Sequence, residues 1–185
     1  MMKEVDAVKS EEMIVSVEEE MRQLGKDDVA DLWRIGINFA LRVGDLLSLR
    51  FSDVEGESLV VKESKTSKER VIKISKTARK YIDSRRETYP DDEFLFQSHG
   101  NRVAGMVKPF SQPFVNRVFT EVGRTLGIRL GTHSMRKTKG YMMYSAGVDI
   151  TVISMILNHS SEAVTRRYIG ITAEELANVY DEFDV

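Results

Sequence analysis

The chain reads as mainly α-helical with one small antiparallel β-sheet, an α+β fold. Three observations carry that reading. Apolar residues recur at helical spacing through most of the 185 residues. Period-two alternation is confined to one stretch, between residues 58 and 74. Asp, Ser or Thr stands ahead of several helical stretches, where caps belong.

Residues 1–26 are acidic and weakly patterned, and read as an N-terminal segment, a linker or a short helix. Asp27 or Asp28 caps a helix through Leu41, with Val29, Leu32, Trp33, Gly36, Ile37 and Ala40 on its apolar side. A short helix follows over Gly44 to Leu49. Ser58 to Lys62 and Arg70 to Ile74 read as two strands about the polar turn Ser64–Lys68, and Phe51 to Val54 as a third strand. Ser75 caps a helix to about Glu87, ended near Pro90. Phe94-Leu95-Phe96 is a short apolar piece before a loop, and residues 101–110 are irregular. Gln112 to Leu126 is the next helix, stopped by Gly127. Thr132 caps another through Ser145, with Gly147 ending it. Asp149 opens a helix that buries Ile150, Ile153, Ile156 and Leu157, and residues 161–168 are helical. Glu174 to Phe183 is the last candidate, with Leu176, Val179, Tyr180 and Phe183 on one stripe. Domain boundaries are expected at 27 and 171, with 172–185 as an acidic tail helix.

Hydrophobic residues make up 42% of the chain, enough for one domain with a real core. No apolar run approaches a membrane span, and the Glu-rich start does not look like a signal peptide, so a cytoplasmic location is expected. The absence of cysteine excludes disulfides and thiol catalysis. Three histidines without an i, i+4 pair give no metal site, and no cofactor is expected. Net charge is only −2, but it is unevenly spread. Residues 1–31 carry ten acids against four bases, and 172–185 carry five acids and no base. Between them, 62–86 carry ten bases against three acids, and 102–139 eight against one. Such blocks read as solvated helix faces or, taken together, as a basic face for double-stranded DNA.

His133 and Arg136 lie three apart, on one face of a helix. His159 follows the next helix, and Tyr168 comes nine residues later. With Arg42 and Lys65 upstream, the inventory is cations, two imidazoles and a hydroxyl. That set suits attack by a tyrosine on a phosphodiester, which needs neither metal nor ATP. Two guanidiniums can grip the anionic oxygens with paired donors. A tyrosine, with an ordinary pKa of about 10, benefits from a base. Lys65, on a hairpin, is suited to protonate the leaving oxygen, though Lys62 and Lys68 compete for that part. Asp45 can hold Arg42 if the helix continues between them. Each residue also has a duller reading: a helix ion pair for Arg42 with Asp45, a cap for His159, a core residue for Tyr168.

The order of these groups resembles the catalytic domain of the tyrosine recombinases, the phage integrase family, from about Asp27 to Ile171. Ala40-Leu41-Arg42-Val43-Gly44-Asp45 is similar to its first arginine box, and Glu63-Ser64-Lys65-Thr66-Ser67-Lys68-Glu69-Arg70 to its lysine hairpin. His133-Ser134-Met135-Arg136 matches its His-x-x-Arg, and Leu157-Asn158-His159 the stretch around its second histidine. Tyr168 falls at its nucleophile. Asn158 stands where glycine is usual, and Lys137 where histidine often follows the arginine.

The resemblance implies the DNA breaking-rejoining fold. It implies a site-specific recombinase working through a 3′-phosphotyrosyl intermediate in integration, excision or inversion, in a prokaryotic cytoplasm or nucleoid. Arg42, Lys65, His133, Arg136, His159 and Tyr168 become catalytic, with His133 as base and Asp45 in support. Lys62, Lys68, Arg70, Lys137, Lys139 and Arg166 are expected to contact DNA. The expected partners are DNA, other copies of the chain in a tetramer on DNA, and DNA-bending accessory proteins. The tail helix is expected to pass to a neighbouring subunit or to pack on its own domain. A type IB topoisomerase and a catalytically silent DNA-binding protein are the alternatives.

Overall fold

Helix α2 (Asp27–Phe39) is the pillar of the fold, because eight of its thirteen residues are buried. The computed structural model describes residues 5–100 and 105–171; the expected tail helix and its exchange lie outside them. Helices α1 (Glu11–Gln23), α4 (Lys76–Thr88) and α6 (Ser134–Ser145) pack on α2, and α5 (Gln112–Thr125) packs on α1. Trp33, fully buried, stacks edge-on to Phe119 at 5.8 Å and donates its indole N–H to the Ile14 carbonyl at 3.0 Å.

Within the acidic segment 1–26, residues 11–23 form α1, which shares this core. Its Ile14, Val17 and Met21 are buried. Fully burying three such side chains stabilises by about 1.5–3 kcal/mol each, against a few tenths for each like-charge neighbour. Apolar spacing therefore outweighs the acidic composition. At the start of α2 the expected aspartate cap is absent. Lys26 holds the cap position without a side-chain bond, and Asp28 is drawn instead to Arg85, 2.7 Å away. Several other helix starts follow the cap rule more closely. Ser75, Ser111, Asp149 and Ser161 each accept a backbone N–H at the start of α4, α5, α7 (Ile150–Ile156) and α8 (Glu162–Ile169).

Strands β1 (Ser58–Lys62) and β2 (Glu69–Lys73) pair antiparallel, with Leu59 opposite Ile72 on the buried face and Val60 opposite Val71 outside. Phe51–Val54 is a 3₁₀ turn and not a third strand. Asp53 accepts the Arg50 N–H at 2.8 Å, and Phe51 and Val54 are both buried, a spacing of three that a strand cannot present to one side. A second, smaller core joins α6, α7 and α8 through Ile150, Ile153, Leu157 and Ile169, with Tyr141, Tyr144 and Tyr168 packed against it. Helices α6 and α8 meet closely at Gly140, where a methyl group would stand 2.6 Å from Ile169 Cγ2. Among the described residues, no helix is long and apolar enough to cross a membrane.

Candidate active site

A buried carboxylate organises the site. Glu63 closes the hairpin after β1 and is wholly inaccessible. Its Oε2 accepts from Arg42 Nη1 at 2.6 Å, Asn158 Nδ2 at 2.6 Å and Thr66 Oγ1 at 3.1 Å. Its Oε1 accepts from Arg70 Nη1 at 2.9 Å and lies 3.5 Å from Arg136 Nη1. Burial by itself would raise the Glu63 carboxyl. The hydrogen bonds from Arg70, Asn158 and Arg42 outweigh it and hold the group at about 2. A carboxylate so placed fixes the guanidiniums from the side away from solvent.

The backbone brings those groups together through two left-handed residues. Ala40 ends α2 at φ 49, so the chain reverses before Arg42, which starts the short helix α3 (Val43–Leu47). The reversed Ala40 carbonyl accepts from Arg136 Nη1 at 2.9 Å and from Arg70 Nη1 at 3.5 Å. Asn158, at φ 47, ends α7. Its departure from the glycine usual in the resembling motif is accommodated because asparagine tolerates this region better than most residues. The side chain then serves Glu63 and Thr66.

Contrary to the expectation from the sequence, Asp45 does not hold Arg42. Arg42 precedes α3 in extended backbone, so no helical turn links the two, and Asp45 Oδ1 accepts the Ser64 N–H at 3.0 Å instead. Asp45 thereby anchors the hairpin that carries Glu63 and Lys65. Glu63 supplies the carboxylate the sequence reading had assigned to Asp45. Its one signal was its place inside the hairpin box, between lysines that suggest solvent.

His133, not Thr132, is the cap residue of α6, and Arg136 follows in the first turn with only 2% of its surface exposed. Arg42, Lys65, His133 and Arg136 line one cavity of about 250 Å³, together with Gly44, Gln112 and Thr132. Lys62 and Lys68 do not line it. Arg136 Nη2 is buried and has no hydrogen-bond partner among the described residues, a donor left over for an incoming anion.

Tyr168, half-buried on α8, completes the group. Its hydroxyl lies 3.2 Å from His133 Nδ1. Its ring meets His159 edge-to-face at 4.7 Å, and the Lys137 ammonium lies 5.2 Å from the ring centre. His159 Nδ1 is 3.0 Å from Thr165 Oγ1. Burial, then the charges of Arg136 and Arg42, push His159 down to about 4. Burial and the surrounding cations Arg136, Lys137, Arg42 and Lys65 also lower His133. Both imidazoles are therefore neutral near pH 7, and neutral His133 can accept a proton.

The structure divides the residues expected to contact DNA. Lys62, Lys68 and Arg166 are exposed, the last 3.6 Å from Glu162. Lys139 is half-buried. Arg70 is turned inward to Glu63 with 12% of its side chain exposed. Lys137 is buried beneath Tyr168. Neither of these two presents its charge to an outer face. Buried opposite charge claims the first and the aromatic ring the second.

The model of the phage integrase family matches residues 16–175. Over 181 residues the chain is 36% identical to the probable integrase/recombinase YoeC of Bacillus subtilis, covering 97% of each. It is 29% identical to the tyrosine recombinase XerA of Pyrococcus horikoshii over 148 residues, which is 77% of this chain and 50% of that one. The chain thus spans about half the length of the Xer relatives it matches. In fold it resembles a crystal structure of XerA recombinase, with a TM-score of 0.75 at 22% identity over 99% of this chain and 66% of that one. It also resembles a lambda integrase tetramer bound to a Holliday junction, with a TM-score of 0.71 at 16% identity over 93% and 51%.

Proposed function

Since this chain belongs to the phage integrase family, the tyrosine recombinases, we propose that it cleaves and rejoins double-stranded DNA at specific sites through a 3′-phosphotyrosyl intermediate on Tyr168. The observation that carries the reading is the 3.2 Å approach of the Tyr168 hydroxyl to a neutral His133, beside a cavity lined by Arg42 and Arg136.

Tyr168 Oη attacks phosphorus, and its proton passes to His133 Nδ1. Arg42 and Arg136 hold the non-bridging oxygens as charge builds on them, Arg136 using its spare Nη2 donor. The bond from phosphorus to O5′ breaks, and Lys65, exposed on the hairpin at the cavity edge, gives that oxygen a proton. The phosphotyrosyl ester retains the bond energy, so attack by a 5′-hydroxyl of another strand rejoins DNA without a nucleotide cofactor. Exchange between duplexes needs several copies on DNA, consistent with the assembly named for lambda integrase. DNA-bending accessory proteins fit the same scheme, acting in the cytoplasm or nucleoid where the DNA lies.

The test is a pool of nicked suicide duplexes with randomised sequence around the nick, resolved on a denaturing gel. A protein–DNA adduct with a restricted sequence, lost in Tyr168→Phe and kept in Tyr180→Phe, is the expected result. Absence of any adduct favours a silent DNA-binding module. An adduct on every sequence, with supercoil relaxation and no strand joining between duplexes, favours a topoisomerase.

A further inference from the structure

Ahead of α1, residues 5–9 cross the two helices that carry the site. Asp6 is tied to Arg129 by its backbone N–H at 2.9 Å and by two carboxylate bonds, 3.0 Å from Nε and 2.8 Å from Nη2. Val8 is buried, and its N–H donates to Thr138 Oγ1 at 2.8 Å. Thr138 lies on α6, two residues past Arg136. Lys9 Nζ donates to the Gly170 carbonyl at 3.1 Å and lies 4.5 Å from the centre of the Tyr141 ring. Gly170 caps α8, two residues past Tyr168. Two adjacent residues thus fasten α6 to the end of α8, one to each. Beneath the segment is a cavity of about 630 Å³, lined on one side by Val5 to Lys9 and on the other by Lys137, Arg167, Tyr168 and Gly170.

We infer that residues 5–9 form a strap that positions the nucleophile from within the same subunit, with Lys9 as its positioning residue. The inference rests on the reading of Tyr168 as nucleophile. Helix α8 is only eight residues long and buries only Thr165 and Ile169. So short a helix owes its placement to tertiary contacts rather than to its own stability. An ammonium at its last carbonyls suits both the helix dipole and the unpaired acceptors there. Because Lys9 is exposed, its bond to the Gly170 carbonyl adds little to global stability. Its consequence lies in alignment, where a displacement of about 1 Å between reacting groups can cost about 100-fold in rate.

Three full-length variants test this: Lys9→Met, which keeps length but removes the donor; Lys9→Arg, which restores one; and Lys26→Met, a half-buried lysine elsewhere whose side chain makes no cap bond, as the control. Amide hydrogen exchange at Gly170 and Ile171 is read first, because it needs no DNA. Lys9→Met is expected to exchange there about tenfold faster, with melting temperature unchanged, while Lys9→Arg and Lys26→Met match the parent. Single-turnover adduct formation at saturating duplex is then expected to slow about tenfold in Lys9→Met, with DNA affinity unchanged and Lys9→Arg rescuing. Unaltered exchange in Lys9→Met overturns the strap, and so does an adduct rate within twofold of the parent. If the parent protein forms no adduct while exchange responds as stated, the strap stands as a tie between helices and the nucleophile reading is what fails.

Discussion

Asn158 reaches across 95 positions of sequence to Glu63, its Nδ2 donating to Oε2 at 2.6 Å. The bond joins the end of α7, next to His159, to the hairpin that carries Lys65. The same nitrogen is 3.0 Å from Thr66 Oγ1, so one amide ties the second histidine's turn to both sides of the hairpin loop.

Replacing Asn158 separates its backbone role from its side-chain role. Asn158→Gly relieves the left-handed backbone, worth about 1 kcal/mol, but forfeits a bond to an ionised group, worth about 1.5–3 kcal/mol. The expected net effect is destabilisation by about 1 kcal/mol. Asn158→Asp sets a second carboxylate against Glu63 and loses more, because two carboxylates at that distance cannot both ionise readily. Urea unfolding at pH 7 ranks the three. A glycine variant more stable than the parent contradicts the assignment of this side chain.

Acid stability is expected to fall in two stages. His159 sits at about 4 in the folded chain against 6.5 when unfolded. The unfolded state therefore takes up the proton first, and stability present above pH 6.5 is lost as pH falls through about 4. Glu63 sits at about 2 against 4.5, so its contribution is present above pH 4.5 and is lost as pH falls through about 2. His159→Gln should flatten the upper stage without abolishing it, since His133 is shifted the same way. Glu63→Gln should remove the lower stage and also cost about 3–5 kcal/mol at neutrality, by leaving guanidiniums buried without their counter-ion. Chemical denaturation from pH 7 to 2 measures both. A parent curve flat between pH 6.5 and 4 refutes the first assignment.

Gly140→Ala should lower stability and slow adduct formation together. Alanine favours a helix over glycine by about 1 kcal/mol. Here its methyl would lie 2.6 Å from Ile169 Cγ2 and 2.9 Å from Leu157 Cδ1. Overpacking of that kind costs about 1–3 kcal/mol, and the easiest relief is for α8 to move outward with Tyr168. Thermal melts and the adduct assay provide the check. A variant that is both more stable and fully active would show that α8 has room to spare.

The fold was readable where local chemistry decides it. Ser75, Asp149 and the alternation in 58–62 and 70–74 mark their elements on their own. Reading failed where distant burial decides. Phe51–Val54 has strand composition, but Asp53 closes it into a turn. The apolar positions of α1 lie among six glutamates, if Glu4 is counted with the five of the helix, and only Trp33 and its neighbours reveal what they cover. Within the site, the motif residues were visible because their chemistry is unusual in such order. Glu63 was not, because a glutamate among hairpin lysines looks solvated until Arg42, Arg136 and Asn158 converge on it. Arg70 and Lys137 misled for the same reason: charge alone does not say which way a side chain turns.

Ala40 carries the only left-handed backbone at the end of α2, and its carbonyl is shared by two guanidiniums. A methyl-bearing residue held in that region is under steric load of about 1–2 kcal/mol. Glycine would shed the load, yet it would also widen the arc through which the next two residues can swing. The alanine keeps that arc narrow, so the aim of Arg42 is settled by the main chain before any substrate arrives.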